Sequence, residues 1–153
     1  MIEVENLSKT YSGFRAVQGI SFHVKKGEIV GFLGPNGAGK STTMKILSGY
    51  LPPTDGKIRI AGFDVVTDSI EVRKRIGYMP ENVPLYTDMR VNEFLRFRAE
   101  LKKVTRRKIK ERVEIVKQLC SLKYVENKII GTLSKGYRQR VGLADAMVHD
   151  PDL

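Results

Sequence analysis

Glu28-Ile29-Val30-Gly31-Phe32-Leu33 runs directly into Gly34-Pro35-Asn36-Gly37-Ala38-Gly39-Lys40-Ser41, and Thr42-Thr43-Met44-Lys45-Ile46-Leu47 follows without a break. The first segment is apolar almost throughout, the pattern of a strand buried on both faces of a parallel sheet. The last has helical spacing, predicting a helix from about Lys40 to Ser48 that Gly49 and Pro52-Pro53 terminate. The middle segment satisfies G-x-x-x-x-G-K-[ST] at every fixed position. Its glycines let the backbone turn tightly and aim successive N–H groups at an anion with no side chain in the way. Lys40 supplies a point charge for the β- and γ-phosphates, and Ser41 a hydroxyl for Mg²⁺. The helix that starts here directs its positive end at the same anion. Chance matches occur in roughly one chain in 200 of this length, given ordinary residue frequencies. The series of strand, phosphate-binding loop (P-loop) and helix predicts an α/β fold that binds a nucleotide, ATP.

Outward from this loop, the start of the chain reads as strands. Ile2 and Val4 alternate with Glu3 and Glu5, and Ile20, Phe22 and Val24 alternate after Gly19. Lys25-Lys26-Gly27 is a turn into the apolar run. Beyond the loop, Lys57–Ile60 and Ile76–Met79 are short strand candidates, with a helical turn between Ile70 and Arg75. From Val91 the period changes. Val91, Phe94, Leu95 and Leu101 share one helical face, and a second helix starts at Thr105 and carries Ile109, Val113, Val116 and Leu119. Two amphipathic helices packed together account for that stretch without a ligand. Gly131 to Gly136 reads as a loop, and Val141, Ala144, Met147 and Val148 as one more helix.

With 153 residues the chain has room for one domain and a modest core. No apolar run approaches the roughly 18 to 20 residues a membrane-spanning helix needs, and the start lacks the pattern of a secretory signal. The single cysteine, Cys120, cannot form an internal disulfide and lies among apolar residues, as a buried structural thiol does. The net charge of +10, from 27 Lys and Arg against 17 Asp and Glu, favours an anionic partner. Its densest stretch, Arg96 to Lys117, also holds Glu100, Glu111 and Glu114 at helical spacing, as on a solvated face. No aromatic residues alternate with the basic ones there, so nucleic acid is not the expected partner.

A P-loop alone does not name the machine. GPNGAGKSTTMKIL at 34–47, followed by LSKGYRQR at 133–140, resembles the ATP-binding cassette (ABC) family over essentially the whole chain. Leu133-Ser134-Lys135-Gly136-Tyr137 stands where the family has its signature motif, usually written LSGGQ. Lys135 and Tyr137 depart from it as they do in prokaryotic cassettes resembling drug-efflux and gliding-motility exporters. The resemblance implies an ATP-binding subunit of a membrane transporter that acts in export. It implies a P-loop core with an antiparallel β portion in 1–85, a helical subdomain in 86–132, and the signature with its helix in 133–153. It places ATP on Gly34, Pro35, Asn36, Gly37, Ala38, Gly39, Lys40, Ser41 and Thr42, with Tyr11 stacked on adenine and Val17 lining the same pocket. Cassettes of this family pair head to tail, so Ser134 and Gly136 would meet the γ-phosphate held by a second cassette. Read alone, Ser134 is a helix N-cap; the P-loop in the same chain turns the reading towards phosphate. Ile76-Gly77-Tyr78-Met79-Pro80-Glu81 aligns with the segment whose glutamine contacts Mg²⁺; here Glu81 offers a carboxylate, so Ser41 and Glu81 are the metal candidates.

The resemblance further implies an integral membrane permease as partner and a cytoplasmic place on the inner face of the membrane. Asp150-Pro151-Asp152-Leu153 matches the lead-in to the family's Walker B strand. The Asp, the general-base Glu and the switch histidine that follow it in the family have no counterpart here; His23 and His149 do not occupy that place. No catalytic residue is therefore assigned, and the expectation is a partial record or a truncated product that exposes the apolar run Glu28–Leu33 as a sheet edge. A non-hydrolysing nucleotide-binding fragment and a soluble ABC ATPase of translation or DNA repair are the other readings.

Overall fold

In the computed structural model, which describes every residue from Met1 to Leu153, the alternation at the start of the chain does build a sheet. Strand β1 (Ile2–Tyr11) pairs antiparallel with β2 (Phe14–Val24) on one side and with β3 (Asp55–Ile60) on the other. The two-residue strand β4 (Phe63–Asp64) completes the order β2-β1-β3-β4. The β1–β2 hairpin turns at Ser12 and Gly13, both with positive φ (42° and 87°), the backbone of a turn whose twist matches that of the strands. Ile2, Val4 and Leu7 of β1, Val17 and Val24 of β2, and Ile58 and Ile60 of β3 form the buried face.

The alternation slips by one residue at Asn6. Val4 to Leu7 stands opposite Phe22 to Ile20, and Glu5 to Ser8 opposite Lys57 to Asp55, so β1 carries an extra residue against both neighbours. This is a β-bulge, with Asn6 at φ 50° and its N–H donating to Ser21 Oγ at 2.8 Å. Gly56 is fitted to it: its φ is 99°, and a Cβ there would lie 2.6 Å from the Asn6 carbonyl oxygen. After β4, the Asp64 carboxylate accepts the N–H groups of Val66 and Thr67, which holds its pKa below the usual carboxylate value and leads the chain into helix α2 (Ser69–Arg75). Helix α1 (Lys40–Leu47) buries Thr43, Ile46 and Leu47.

The run Glu28–Leu33 does not form the expected strand, and Ile29, Val30 and Leu33 are all more than half exposed. Its apolar composition describes the side-chain surroundings that a strand would need, whereas a strand exists only if a neighbour accepts its backbone hydrogen bonds. No strand of this chain lies beside it; Glu28 is bonded only to the turn, its carboxylate accepting the Lys25 N–H at 2.7 Å, and Phe32 meets Phe22, ring centroids 5.8 Å apart. Ile76–Met79 is likewise not a strand; Gly77 is instead pressed against the Ala146 carbonyl, and the Ile76 carbonyl meets His149.

Contacts within the chain separate two units, Met1–Arg75 with Leu153, which holds the sheet, and Ile76–Asp152. The second is built from helices α3 (Val91–Leu101), α4 (Arg106–Leu119) and α5 (Lys135–Met147), with 3-10 turns at Lys123–Val125 and Ile130–Thr132. Val91, Phe94, Leu95 and Ala99 of α3, Ile109, Val113 and Val116 of α4, and Val141 and Ala144 of α5 share one core with Cys120, Leu122, Val125, Ile130 and Leu133. Leu101 and Leu119, expected on these faces, are exposed, because each stands at the flank of its stripe in a last helical turn. Cys120 is buried as expected, and burial pushes its thiol pKa up.

Charged clips join the helices. Arg98 of α3 donates to both carboxylate oxygens of Asp145 on α5, at 2.8 and 3.0 Å, and Lys102 reaches the same carboxylate at 3.1 Å. Arg112 of α4 donates to the carbonyls of Met147 and Val148, where the negative end of α5 favours a cation. Lys117, only 2% exposed, lies 2.5 Å from both Glu114 and Glu126 and donates to Asn92, so this buried charge is fully engaged.

Hydrogen bonds from Lys117 and Lys123 hold the Glu114 carboxyl at about 2, down from 4.5. A carboxyl whose folded pKa is depressed stabilises the fold fully above the unfolded value, and the contribution fades as pH falls from 4.5 towards 2. Glu114 is partly exposed, so screening limits the contribution to about 1 kcal/mol or less. Glu114→Gln is expected to flatten the decline of thermal midpoint across that acid window, read by circular dichroism; an unchanged decline would place the acid sensitivity on other carboxylates.

Candidate functional site

The P-loop is shaped by two left-handed glycines and one close approach. Gly37 and Gly39 have φ of 85° and 84°, and the Ala38 N–H donates to the Pro35 carbonyl at 3.2 Å. A Cβ on Gly37 would meet nothing within 4 Å, so the mouth of the loop is open. A Cβ on Gly39 would lie 2.3 Å from the Ala16 carbonyl oxygen and 3.0 Å from Val17 Cγ2, so the loop end is pressed directly onto β2. The Gly39 carbonyl in turn accepts the Thr43 N–H at 2.8 Å and the Thr43 hydroxyl at 3.0 Å, which fixes the first turn of α1.

Lys40 folds back over the loop. Its ammonium donates to the Gly34 carbonyl at 2.6 Å and the Pro35 carbonyl at 2.7 Å, which sets a positive charge beside the open N–H groups. Gly34, Pro35, Asn36, Gly37, Ala38 and Ser41 are exposed, and Thr42 is half-buried. Tyr11, beside the hairpin turn, is 42% exposed, with Lys9 Nζ 5.3 Å from its ring centroid. Val17 is buried beneath Gly39.

In the helical unit the signature residues sit at the head of α5. Ser134 is its N-cap, with Oγ accepting the Tyr137 N–H at 3.3 Å, and the helix begins at Lys135, so Gly136 lies inside the first turn and not before it. The earlier start follows from that cap bond, which draws Lys135 and Gly136 into helical geometry. The face at Gly136 is open, with only Ser134 Oγ at 4.0 Å from where a Cβ would stand. Leu133 is buried in the core, Lys135 is exposed, and Tyr137 is half-buried with the Arg140 guanidinium 5.4 Å from its ring centroid.

Glu81 is exposed, and its carbonyl accepts a hydrogen bond from Gln139 Nε2 at 3.4 Å. This belongs to a longer contact that sequence reasoning missed. A Cβ on Gly77 would lie 2.4 Å from the Ala146 carbonyl oxygen, one on Gly142 would lie 2.5 Å from Val83 Cγ1, and one on Gly131 would lie 2.9 Å from the Thr87 carbonyl oxygen. His149 Nε2 meets the Ile76 carbonyl at 3.1 Å, and burial together with nearby Lys102 keeps the imidazole pKa below its usual value. The irregular segment carrying Glu81 is thus laid along the signature helix at several points. The sequence signal was a glycine in a helix interior, which costs about 1 kcal/mol against alanine unless something packs there.

The sequence profile of the family described as ABC transporter matches residues 17–153. The chain is 40% identical over 151 residues, 99% of its length, to "Uncharacterized ABC transporter ATP-binding protein YxlF" of Bacillus subtilis, and covers 50% of that protein. It is 34% identical over 153 residues to "Bacitracin transport ATP-binding protein BcrA" of Bacillus licheniformis, covering 49% of it. Its fold matches the dimeric structure of MJ0796, a bacterial ABC transporter cassette, with a TM-score of 0.86 at 26% identity, covering 99% of this chain and 71% of that one. The chain spans about half the length of the curated relatives it matches.

Gly142→Ala is expected to destabilise the helical unit by about 2 kcal/mol through its clash with Val83. Val83→Ala in the same chain should restore most of that loss in a denaturant titration. Two purely additive losses would mean that the close contact with Val83 is not what excludes a side chain at Gly142.

Proposed function

The chain belongs to the ABC transporter family, and from that membership we propose that it is the ATP-binding subunit that couples ATP to export across a membrane. The observation that carries this reading is the exposed loop Gly34–Ser41, with its open mouth at Gly37 and the Lys40 ammonium poised beside it. Within that loop the Lys40 ammonium is held only by two main-chain carbonyls, and a polyphosphate offers it a stronger, charge-assisted partner. Gly34–Thr42 bind the phosphates, and the start of α1 adds its positive end. Tyr11 offers an exposed aromatic face for adenine.

Mg²⁺ accompanies the nucleotide. Ser41 and Glu81, each exposed in its own unit, are the candidate side chains for it, and it would neutralise charge on the phosphates. Of the signature stretch Leu133–Tyr137, Ser134 and the backbone N–H of Gly136 would meet the γ-phosphate carried by a second cassette, with Leu133 anchoring the stretch in the core, in keeping with the dimeric form of the MJ0796 structure. The open face at Gly136 leaves room for that approach. An integral membrane permease completes the assembly and places the subunit on the cytoplasmic face; no helix of the chain is itself long and apolar enough to cross a membrane. Export as the direction is supported by a relative named "SkfA peptide export ATP-binding protein SkfE" of Bacillus subtilis, 39% identical over 150 residues.

Calorimetric titration of the chain with MgATP tests the reading. Lys40→Ala should weaken binding by about 100-fold, the scale for removing one partner of a charged contact, while the melting curve stays unchanged. Wild-type affinity in Lys40→Ala would end the assignment of the loop. Glu81→Ala should leave ATP binding in EDTA untouched and reduce only the gain that Mg²⁺ adds.

A further inference from the structure

Helix α3 ends and α4 begins on the most basic stretch of the chain, Lys102-Lys103-Val104-Thr105-Arg106-Arg107-Lys108-Ile109-Lys110. Some of the nearby cations have internal work. Lys102 binds Asp145, and Arg112 binds Asp150 and the carbonyls at the end of α5. Lys103, Arg106, Arg107, Lys108 and Lys110 do not: all are exposed, and none lies within ion-pair distance of an acid. Glu100 and Glu111 flank them and are exposed without an ion pair.

Local physics argues against this arrangement as a stability device. Arg106, Arg107 and Lys108 fill the first turn of α4, which contains no acid, although the helix already carries partial positive charge at that end. Thr105, the N-cap, makes no side-chain capping bond there. Lys103 is held at φ 59°, where glycine would be less strained. Beside these cations Leu101 is 55% exposed and Val104 half-buried, so apolar atoms adjoin the charges.

We propose that this end of the helical unit docks on the anionic headgroups of a phospholipid bilayer. Clustered Lys and Arg on flexible stems match a surface of diffuse negative charge, and an adjoining exposed leucine suits the boundary between headgroups and acyl chains. The stretch from Lys102 to Arg112 has no aromatic ring, so it gives nucleic-acid bases nothing to stack on. The surface acts independently of the P-loop and requires no nucleotide.

Sedimentation with vesicles, without nucleotide, tests it. The chain should bind phosphatidylcholine vesicles containing phosphatidylserine, ignore phosphatidylcholine alone, and be released by high salt. The variant R106E/R107E/K110E should lower partitioning by about 100-fold. The same variant should melt at a higher temperature, because acids now face the positive end of α4. Binding and stability moving in opposite directions is the expected signature; a fall in both would give these residues a structural role and overturn the proposal. The control K25E/K26E, an equal kind of charge reversal in the other unit, should leave partitioning within about twofold. Equal loss in the control, no binding to anionic vesicles, or displacement from vesicles by stoichiometric single-stranded RNA would each overturn it as well.

Discussion

A carbonyl oxygen of β2 lies so close to Gly39 that no side chain fits between them, and the backbone of Gly39 is left-handed besides. Through this contact the P-loop, the start of α1 and the sheet become one construction. The same residue's carbonyl anchors Thr43, so the loop is clamped from the sheet side and from the helix side at a single position. The rest of the loop is consequently free to stay exposed and open. The conformation needed at Gly37 comes from a backbone that only has to turn, whereas that at Gly39 is enforced by packing. Anion-binding loops need both qualities: N–H groups without cover, and a frame that keeps them in place when no anion holds them together.

The helical unit uses the same economy of side chains in another setting. Gly77, Gly131 and Gly142 each mark a point where a side chain would collide with a neighbour: Gly77 and Gly142 let an irregular segment follow α5 closely, and Gly131 lets it approach the turn before that helix. Glu81 rides on that segment, with its carbonyl bonded to Gln139 and its carboxylate left to solvent. The residues Ser134 and Gly136 at the head of α5 and the residue Glu81 therefore share one support. The charged clips at Asp145 and Arg112 brace the same helix from α3 and α4. Packing of small residues sets distances here, and ion pairs set which helix faces which.

The periodic elements were legible in the sequence because side-chain burial follows from period. The strand alternation at Ile2–Val4 and the helical stripes of α3 and α4 needed nothing else, although the flanking leucines Leu101 and Leu119 were drawn one turn too far. The run Glu28–Leu33 shows the limit of that logic, since apolar composition speaks of surroundings and a strand is defined by a hydrogen-bonding neighbour. The β-bulge at Asn6 was invisible for a related reason: an inserted residue is meaningful only against the strands beside it. Among the site residues, the P-loop declared itself because its glycines and Lys40 form a dense motif. The glycines opposite Val83 and Ala146 are scattered singly, and each looks ordinary until its neighbour in space is known.

Cys120 is the chain's one thiol, and the core around it keeps it both covered and protonated. Oxidants and electrophiles attack the thiolate, so the folded helical unit is its own chemical insulation. Two chains cannot be joined through sulfur unless the core between α3, α4 and α5 has first opened. The reaction rate of Cys120 is thereby tied to how often that core comes apart, and the sulfur keeps time for the integrity of the whole unit.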